Sequence, residues 1–281
     1  MKVYANAKIN LCLDVTDKRD DGYHNVCMIM QEITLCDLLD IEITDNEDII
    51  LTCSSENVGD AKDNLCTKAA RIFFEKTGIE KGCTINLEKH IPVCAGLGGG
   101  SSDAACVLKT LNALCSYPLS DSELESLALS LGADVPFFIK GKSALCEGIG
   151  EILTPIVSLK KVWVALIKPD TDISTKEAYK KIDSEPVCHP DTKTVAKMME
   201  SGNMEEVYKL CSNVFEDVSI KYFPQIERIK EHFMKKGAKF SMMSGSGPTV
   251  FGIFDTEDEA RIAFDSYDGP NHGGGVAETI V

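Results

Sequence analysis

The sequence predicts a mixed α and β fold. Period-two alternation marks strands near the N-terminus and at 84–88, helix-spaced apolar residues follow each, and a cluster of glycines at 96–100 opens straight into a helix. With 281 residues, 44% of them hydrophobic and 26% charged, the chain can bury one large core or two smaller ones. Lys and Arg number 29 against 44 Asp and Glu, a net charge of −15 whose field repels polyanions. Nucleic acid and anionic membrane are therefore poor partners. An anion that does bind has to be held by backbone amides, a helix N-terminus or a few placed cations.

Residues 3 to 15 alternate, with Ala5, Ala7, Ile9, Leu11 and Leu13 on one face and Lys8, Asn10 and Cys12 on the other, as in a half-buried strand. The segment DKRDDGYH (17–24) is a polar turn, and VCMIMQEITLCDLLDIEI after it reads as one or two further strands. Leu65, Ala69, Ile72 and Phe73 predict a helix stopped by Gly78, and TINLE (84–88) a strand. The helix that follows the glycines carries Ala104, Val107, Leu108, Leu111 and Leu114 on its apolar stripe. Ser120 and Glu123 form a capping box for the next helix, whose stripe of Leu124, Leu127, Ala128 and Leu131 runs to Gly132, with Asp134 just beyond. The pattern resets around 155 to 162, dividing the chain into 1–158 and 159–281. In the second part VWVALIKPD (162–170) reads as a buried strand, 191–201, 203–217 and 224–236 as helices, and 238–254 as two strands around a glycine turn; Gly273 to Gly275 reads as a loop.

The twelve Cys are scattered from Cys12 to Cys211 without a CxxC, and the five His show no HExxH pairing, so neither a zinc site nor a tight disulfide framework is indicated. Free thiols in a reducing cytosol are the expectation. MKVYANAKINLCLDV lacks an apolar leader, which predicts a cytoplasmic protein without a targeting segment.

Gly96, Gly98, Gly99 and Gly100, followed by Ser101 and Ser102 at a helix start, are the sharpest chemical signal. Glycines let backbone N–H groups close on a ligand, and the first helical turn adds unpaired donors and the positive end of the dipole. The plainer reading is a turn whose Ser residues and Asp103 cap the helix, but four glycines in five positions exceed what a cap needs. The dinucleotide fingerprint fails because Ser101 stands at its third glycine, and Gly141-Lys142-Ser143 is no Walker A loop because Pro136 stands at its first. Asp134, between a helix end and the run Val135, Pro136, Phe137, Phe138, can accept a proton or pair with a cation, and Lys8 is the candidate cation. Alone, each would more often be a structural or surface charge.

ANAKINL (5–11), DGYH (21–24), IPVCAGLGGGSSDAA (91–105), LGADVPFF (131–138) and SGSGPTVF (244–251) together resemble the ordered motif set of the GHMP small-molecule kinases. The resemblance implies a two-domain α+β fold with the active site in the inter-domain cleft. It puts Gly96, Leu97, Gly98, Gly99, Gly100, Ser101 and Ser102 around the ATP phosphates, and Asn64, Leu65 and Lys89 on the nucleotide side. Asp134 would accept the acceptor's hydroxyl proton and Lys8 would steady that carboxylate. Asn10, Tyr23, His24, Thr175, Tyr179 and Gly245 would surround the acceptor, the two tyrosines sandwiching a cytosine whose edge His24 reads. The implied acceptor is a cytidine-diphosphate-linked methylerythritol, an isoprenoid precursor. Homoserine, mevalonate and galactose types are the near rivals, and a catalytically silent nucleotide-binding module the distant one. Mg²⁺ is expected with ATP, without assigned ligands beyond Ser102 as a candidate hydroxyl. Taken without the resemblance, Tyr23 is equally a turn aromatic, Lys89 a solvated strand-end lysine and Gly245-Ser246-Gly247 a hairpin turn.

Overall fold

A computed structural model describes residues 1–55, 61–270 and 272–281. The chain divides into two compact units, Met1–Ala7 with Cys36–Val93 and Gly98–Gly141, and Lys8–Leu35 with Cys94–Leu97 and Lys142–Val281. Neither is one continuous stretch, because β1 (Lys2–Lys18) and β2 (His24–Thr44) are much longer than ordinary strands and contribute residues to both. The turn between them falls where DKRDDGYH predicts it. No breaker interrupts Val26 to Ile43, so the one or two strands expected there are one.

In the first unit, residues 38–44 of β2 run antiparallel to β4 (Gly82–Glu88), and β3 (Ile49–Cys53) runs parallel to β4. Helix α1 (Leu65–Thr77) starts at Asn64, whose side chain accepts from the Cys66 N–H, and stops at Gly78 with φ of 66°. Its buried Ala69, Ala70 and Phe73 pack against α2 (Gly99–Leu114), which buries Ala104, Val107, Leu108 and Leu111. Leu114, expected on that stripe, is exposed at the last helical position. In α3 (Asp121–Leu131) the Glu123 carboxylate accepts from both the N–H and the hydroxyl of Ser120, and α4 (Val135–Lys140) follows.

In the second unit, residues 28–31 of β2 pair with β5 (Ser143–Glu147), which pairs with β6 (Ile152–Pro155). A separate antiparallel sheet runs in the order β10 (His272–Glu278), β7 (Trp163–Pro169), β9 (Val250–Phe254), β8 (Phe240–Met243). The unit also holds α5 (Thr175–Ile182), α6 (Thr192–Met199), α7 (Met204–Leu210), α8 (Val214–Tyr222), α9 (Gln225–Lys235) and α10 (Glu257–Asp265), of which α9 and α10 pack on this sheet. Helix α9 buries Ile226, Ile229 and Phe233. Gly252 leaves room for that Phe233 ring, which a Cβ would meet at 2.9 Å.

Three expectations are corrected. Lys8, Asn10 and Cys12 are buried along with the opposite face of β1, so this strand is buried on both sides. The helix expected at 203–217 is two, because the chain at Ser212 and Asn213 joins Leu13 in a β-bridge and Asn213 caps α8. Gly273 to Gly275 form a strand, not a loop. Gly274 is there because β7 comes close: with φ of 131°, its Cβ would sit 2.0 Å from the Leu166 carbonyl oxygen. Among the described residues, no helix is long and apolar enough to cross a membrane.

Gly274→Val is therefore expected to break the β10–β7 ladder and destabilise the chain by about 2 kcal/mol or more, whereas Gly275→Ala, with open space around the added Cβ, changes stability little. Thermal melts of the two variants check this, and equal losses would mean that the close approach at Gly274 is not the constraint.

Candidate active site

The loop before α2 winds through left-handed backbone at Cys94, Gly96 and Gly98, with φ of 52°, 74° and 72°. Gly98 is the N-cap of α2, and no side chain caps it. The capping role considered for Asp103 is thus excluded, and the first-turn N–H groups lack a side-chain acceptor. A glycine-built, uncapped helix start is what a bound phosphate would complete.

Within the first unit the nucleotide-side residues come together around this turn. A Cβ on Gly100 would lie 3.8 Å from the Leu65 side chain, next to the Asn64 cap. One on Gly99 would lie 3.3 Å from Lys89 Nζ. Lys89 is no solvated lysine: its side chain is 6% exposed, and Nζ donates to Asp37 and, at 2.8 Å, to Asp103. Asp37 also accepts from the N–H groups of His90 and Ile91, at 2.6 and 2.8 Å. Burial pushes the Asp103 carboxyl up to about 7, aided by the Asp37 charge and opposed by Lys89. Lys89 is itself held upward: burial pulls it down, but the charges of Asp103 and Asp37 outweigh that. Asp134 is the half-buried residue before α4, and among the described residues its carboxylate has no hydrogen-bond or ion-pair partner. Such a carboxylate can take a proton.

Within the second unit, Lys8 Nζ donates to Asn10 Oδ1 at 2.5 Å and to the Gly96 carbonyl at 2.8 Å. The Gly96 carbonyl also accepts from Ser244 Oγ, which in turn accepts from the Asn10 N–H. Gly96 cannot carry a side chain here, since a Cβ would meet the Ser244 carbonyl oxygen at 2.1 Å. Gly245 lies against the same place, with Gly96 O and Asn10 Oδ1 3.1 and 3.4 Å from a built Cβ. Thr175 Oγ1, at the start of α5, meets Ser246 Oγ at 2.9 Å. His24 stacks on Tyr179 at 4.8 Å between ring centroids, and its Nε2 meets Asp183, which also holds Lys18. Tyr23 stands in the turn, 63% exposed.

Lys8, Asn10, Gly96 and Gly245 are thus one cluster, and His24 and Tyr179 another. Sequence reasoning missed Asp37, Ser244 and Asp183. Asp37 had a readable signal, a carboxylate inside an otherwise apolar strand; Asp183 had none. A cavity of about 630 Å³ lined by Arg228, His232, Lys235 and Tyr267 contains none of the predicted residues. The twelve cysteines are free. No group of three or more His, Cys, Asp or Glu that could hold a metal occurs among the described residues.

The family model for the GHMP kinases N terminal domain matches residues 64–142, and that for GHMP kinases C terminal matches 187–269. A Clostridium botulinum relative named 4-diphosphocytidyl-2-C-methyl-D-erythritol kinase is 45% identical over 93% of this chain and 94% of its own. A Clostridium beijerinckii relative of the same name is 46% identical over 94% and 95%. Among solved structures, a 4-(cytidine 5'-diphospho)-2C-methyl-D-erythritol kinase superposes with a TM-score of 0.81 at 31% identity, covering 99% of this chain and 98% of that one. Homoserine kinase from Cytophaga hutchinsonii superposes with a TM-score of 0.71 at 19% identity, covering 98% and 94%, a likeness of fold alone.

Asp103 makes stability depend on pH with a definite sign. An unfolded Asp ionises near pH 4, whereas here the carboxyl keeps its proton to about 7, so the native state binds the extra proton in between and stability falls as pH rises through that window. Asp103→Asn removes this loss. Its melting temperature relative to the wild type is expected to climb from about pH 5 to about pH 8. A difference that does not change with pH would mean that Asp103 ionises normally.

Proposed function

This chain belongs to the GHMP kinase family, and from that premise we propose that it is a phosphotransferase acting on an alcohol, 4-diphosphocytidyl-2-C-methyl-D-erythritol kinase. It transfers the γ-phosphoryl group of ATP to the 2-hydroxyl of 4-diphosphocytidyl-2-C-methyl-D-erythritol, in the non-mevalonate route to isoprenoid precursors. The observation that carries the kinase reading is the uncapped, glycine-built first turn of α2 in a chain whose net charge of −15 offers anions no other general attraction. The acceptor follows from the relatives, which match over nearly the whole chain.

Phosphoryl transfer leaves the protein little covalent work, because charge spreads over the phosphoryl oxygens and positioning with electrostatic stabilisation lowers the barrier. The segment from Gly96 to Ser102 receives the phosphates on backbone N–H groups, with Asn64, Leu65 and Lys89 on the nucleotide side. Asp134 takes the proton of the attacking hydroxyl. Lys8, kept in place by Asn10 and the Gly96 carbonyl, supplies fixed positive charge. Asn10, His24, Thr175, Tyr179 and Gly245 line the acceptor's place, and Tyr23 is the ring exposed enough to stack on an incoming cytosine. Mg²⁺ accompanies the nucleotide. The Ser102 hydroxyl, in the first turn of α2 beside the phosphate-receiving backbone, is the group of this chain that would hold it. When bound, it neutralises charge on the phosphates. The division between the two family domains is proposed at 158, a reading supported by its lying in the stretch between the matched residues 64–142 and 187–269.

The test is ADP release with MgATP and 4-diphosphocytidyl-2-C-methyl-D-erythritol, beside homoserine, mevalonate and galactose as acceptors. Turnover is expected with the cytidine compound alone, and turnover with another acceptor instead would overturn the substrate assignment. Asp134→Asn is expected to lower kcat by about a hundredfold or more while ATP affinity stays as it was. Unchanged turnover would remove Asp134 from its role.

A further inference from the structure

Lys89 stands on the nucleotide side, but Asp37 and Asp103, which share its ammonium, have no role in the reaction so far, and the physics of the three together is unusual. Two carboxylates share one ammonium, all three groups almost wholly removed from solvent, so with both acids ionised the cluster carries one net negative charge. One oxygen of Asp103, Oδ1, is buried without any hydrogen-bond partner. Buried ion pairs add little or nothing to stability beyond what apolar residues of the same volume would, and an unpartnered buried polar atom subtracts from it. What the cluster holds therefore matters more than what it stabilises.

It holds the entry to α2. That turn begins Gly98-Gly99-Gly100 with no side-chain cap, so nothing local restricts it, and glycine backbone is the least restricted there is. Asp103 lies one turn further on. Its Oδ2 accepts from Lys89, Lys89 donates to Asp37 of β2, and Asp37 accepts from the two backbone N–H groups at the end of β4. Helix and sheet are thus joined through the Lys89 ammonium. That ammonium is also the group 3.3 Å from the Cβ position of Gly99, so the joint lies directly against the turn it secures.

We propose that Asp37 and Asp103 are positioning residues for the nucleotide, fixing Lys89 and through it the first turn of α2 so that its N–H donors meet phosphate in one orientation. The proposal rests on the reading of that turn as the ATP site.

Three variants test it: Asp103→Asn, which keeps the shape and leaves a balanced Asp37–Lys89 pair, Lys89→Met, and the two combined. Calorimetry of ATP binding is expected to show about tenfold weaker affinity for each single variant, and in Asp103→Asn the acceptor KM and the kcat at saturating ATP stay within about twofold of wild type. The double variant is expected to be no weaker than Lys89→Met, because both act through one contact. Wild-type ATP affinity in Asp103→Asn, additive losses in the double variant, or equal losses for ATP and acceptor would overturn the clamp. If Lys89→Met fails to fold, the ATP affinity of Asp103→Asn set against its acceptor KM and kcat decides alone. A wild type that releases no ADP with any acceptor sinks the kinase reading instead, which separates the two failures.

Discussion

An acidic chain that binds a polyphosphate can do so only where backbone N–H groups are left open to it, and that constraint shapes the entry to α2. Side chains that would cap an ordinary helix are absent, glycines take their place, and the turn is left without a partner of its own. Because glycine restricts nothing, order has to be imposed from outside. In the first unit that order comes from Lys89 and its two carboxylates, together with Ile91 and Leu65 against Gly99 and Gly100. In the second it comes from Lys8 and Ser244, which both donate to the Gly96 carbonyl.

The same constraint explains where the chain departs from simple burial rules. Lys8, Asn10, Asp37 and Asp103 are polar residues with almost no exposure, and a half-buried strand or a capped helix would have left them in water. Each except Asp103 Oδ1 is recorded with a partner, as buried polar groups require. Asp103 bears the consequence: burial, aided by the Asp37 charge, raises its carboxyl toward neutrality.

Glycine plays two opposite parts in this molecule. Gly96 and Gly274 both sit in left-handed or strained backbone against a carbonyl oxygen, about 2 Å from where a Cβ would be. At 96 the neighbour belongs to the cluster around Lys8, at 274 to the strand next door. A run of glycines near a C-terminus looks the same in sequence whether it turns or pairs, which is why 273–275 was readable only as a loop. The short elements α4 and β6 escaped for a related reason: six and four residues are too few for a period to show. Helix α10 did leave a mark, the Thr256 and Glu259 capping box.

What the sequence determined by itself was everything that depends on local pattern or on matched motifs: the α and β mixture, the long N-terminal strand, the helix from Leu65 to Gly78, the glycine entry to α2, and the family that its five motifs resemble. Tertiary structure alone decided which charges meet. Asp37 and Asp103 are 66 positions apart in sequence but share one ammonium, and Lys8 and Ser244 converge on one carbonyl from opposite ends of the chain. Periodicity tells which face a side chain is on and says nothing of what lies across from it, and the burial that shifts Asp103 comes from that opposite side.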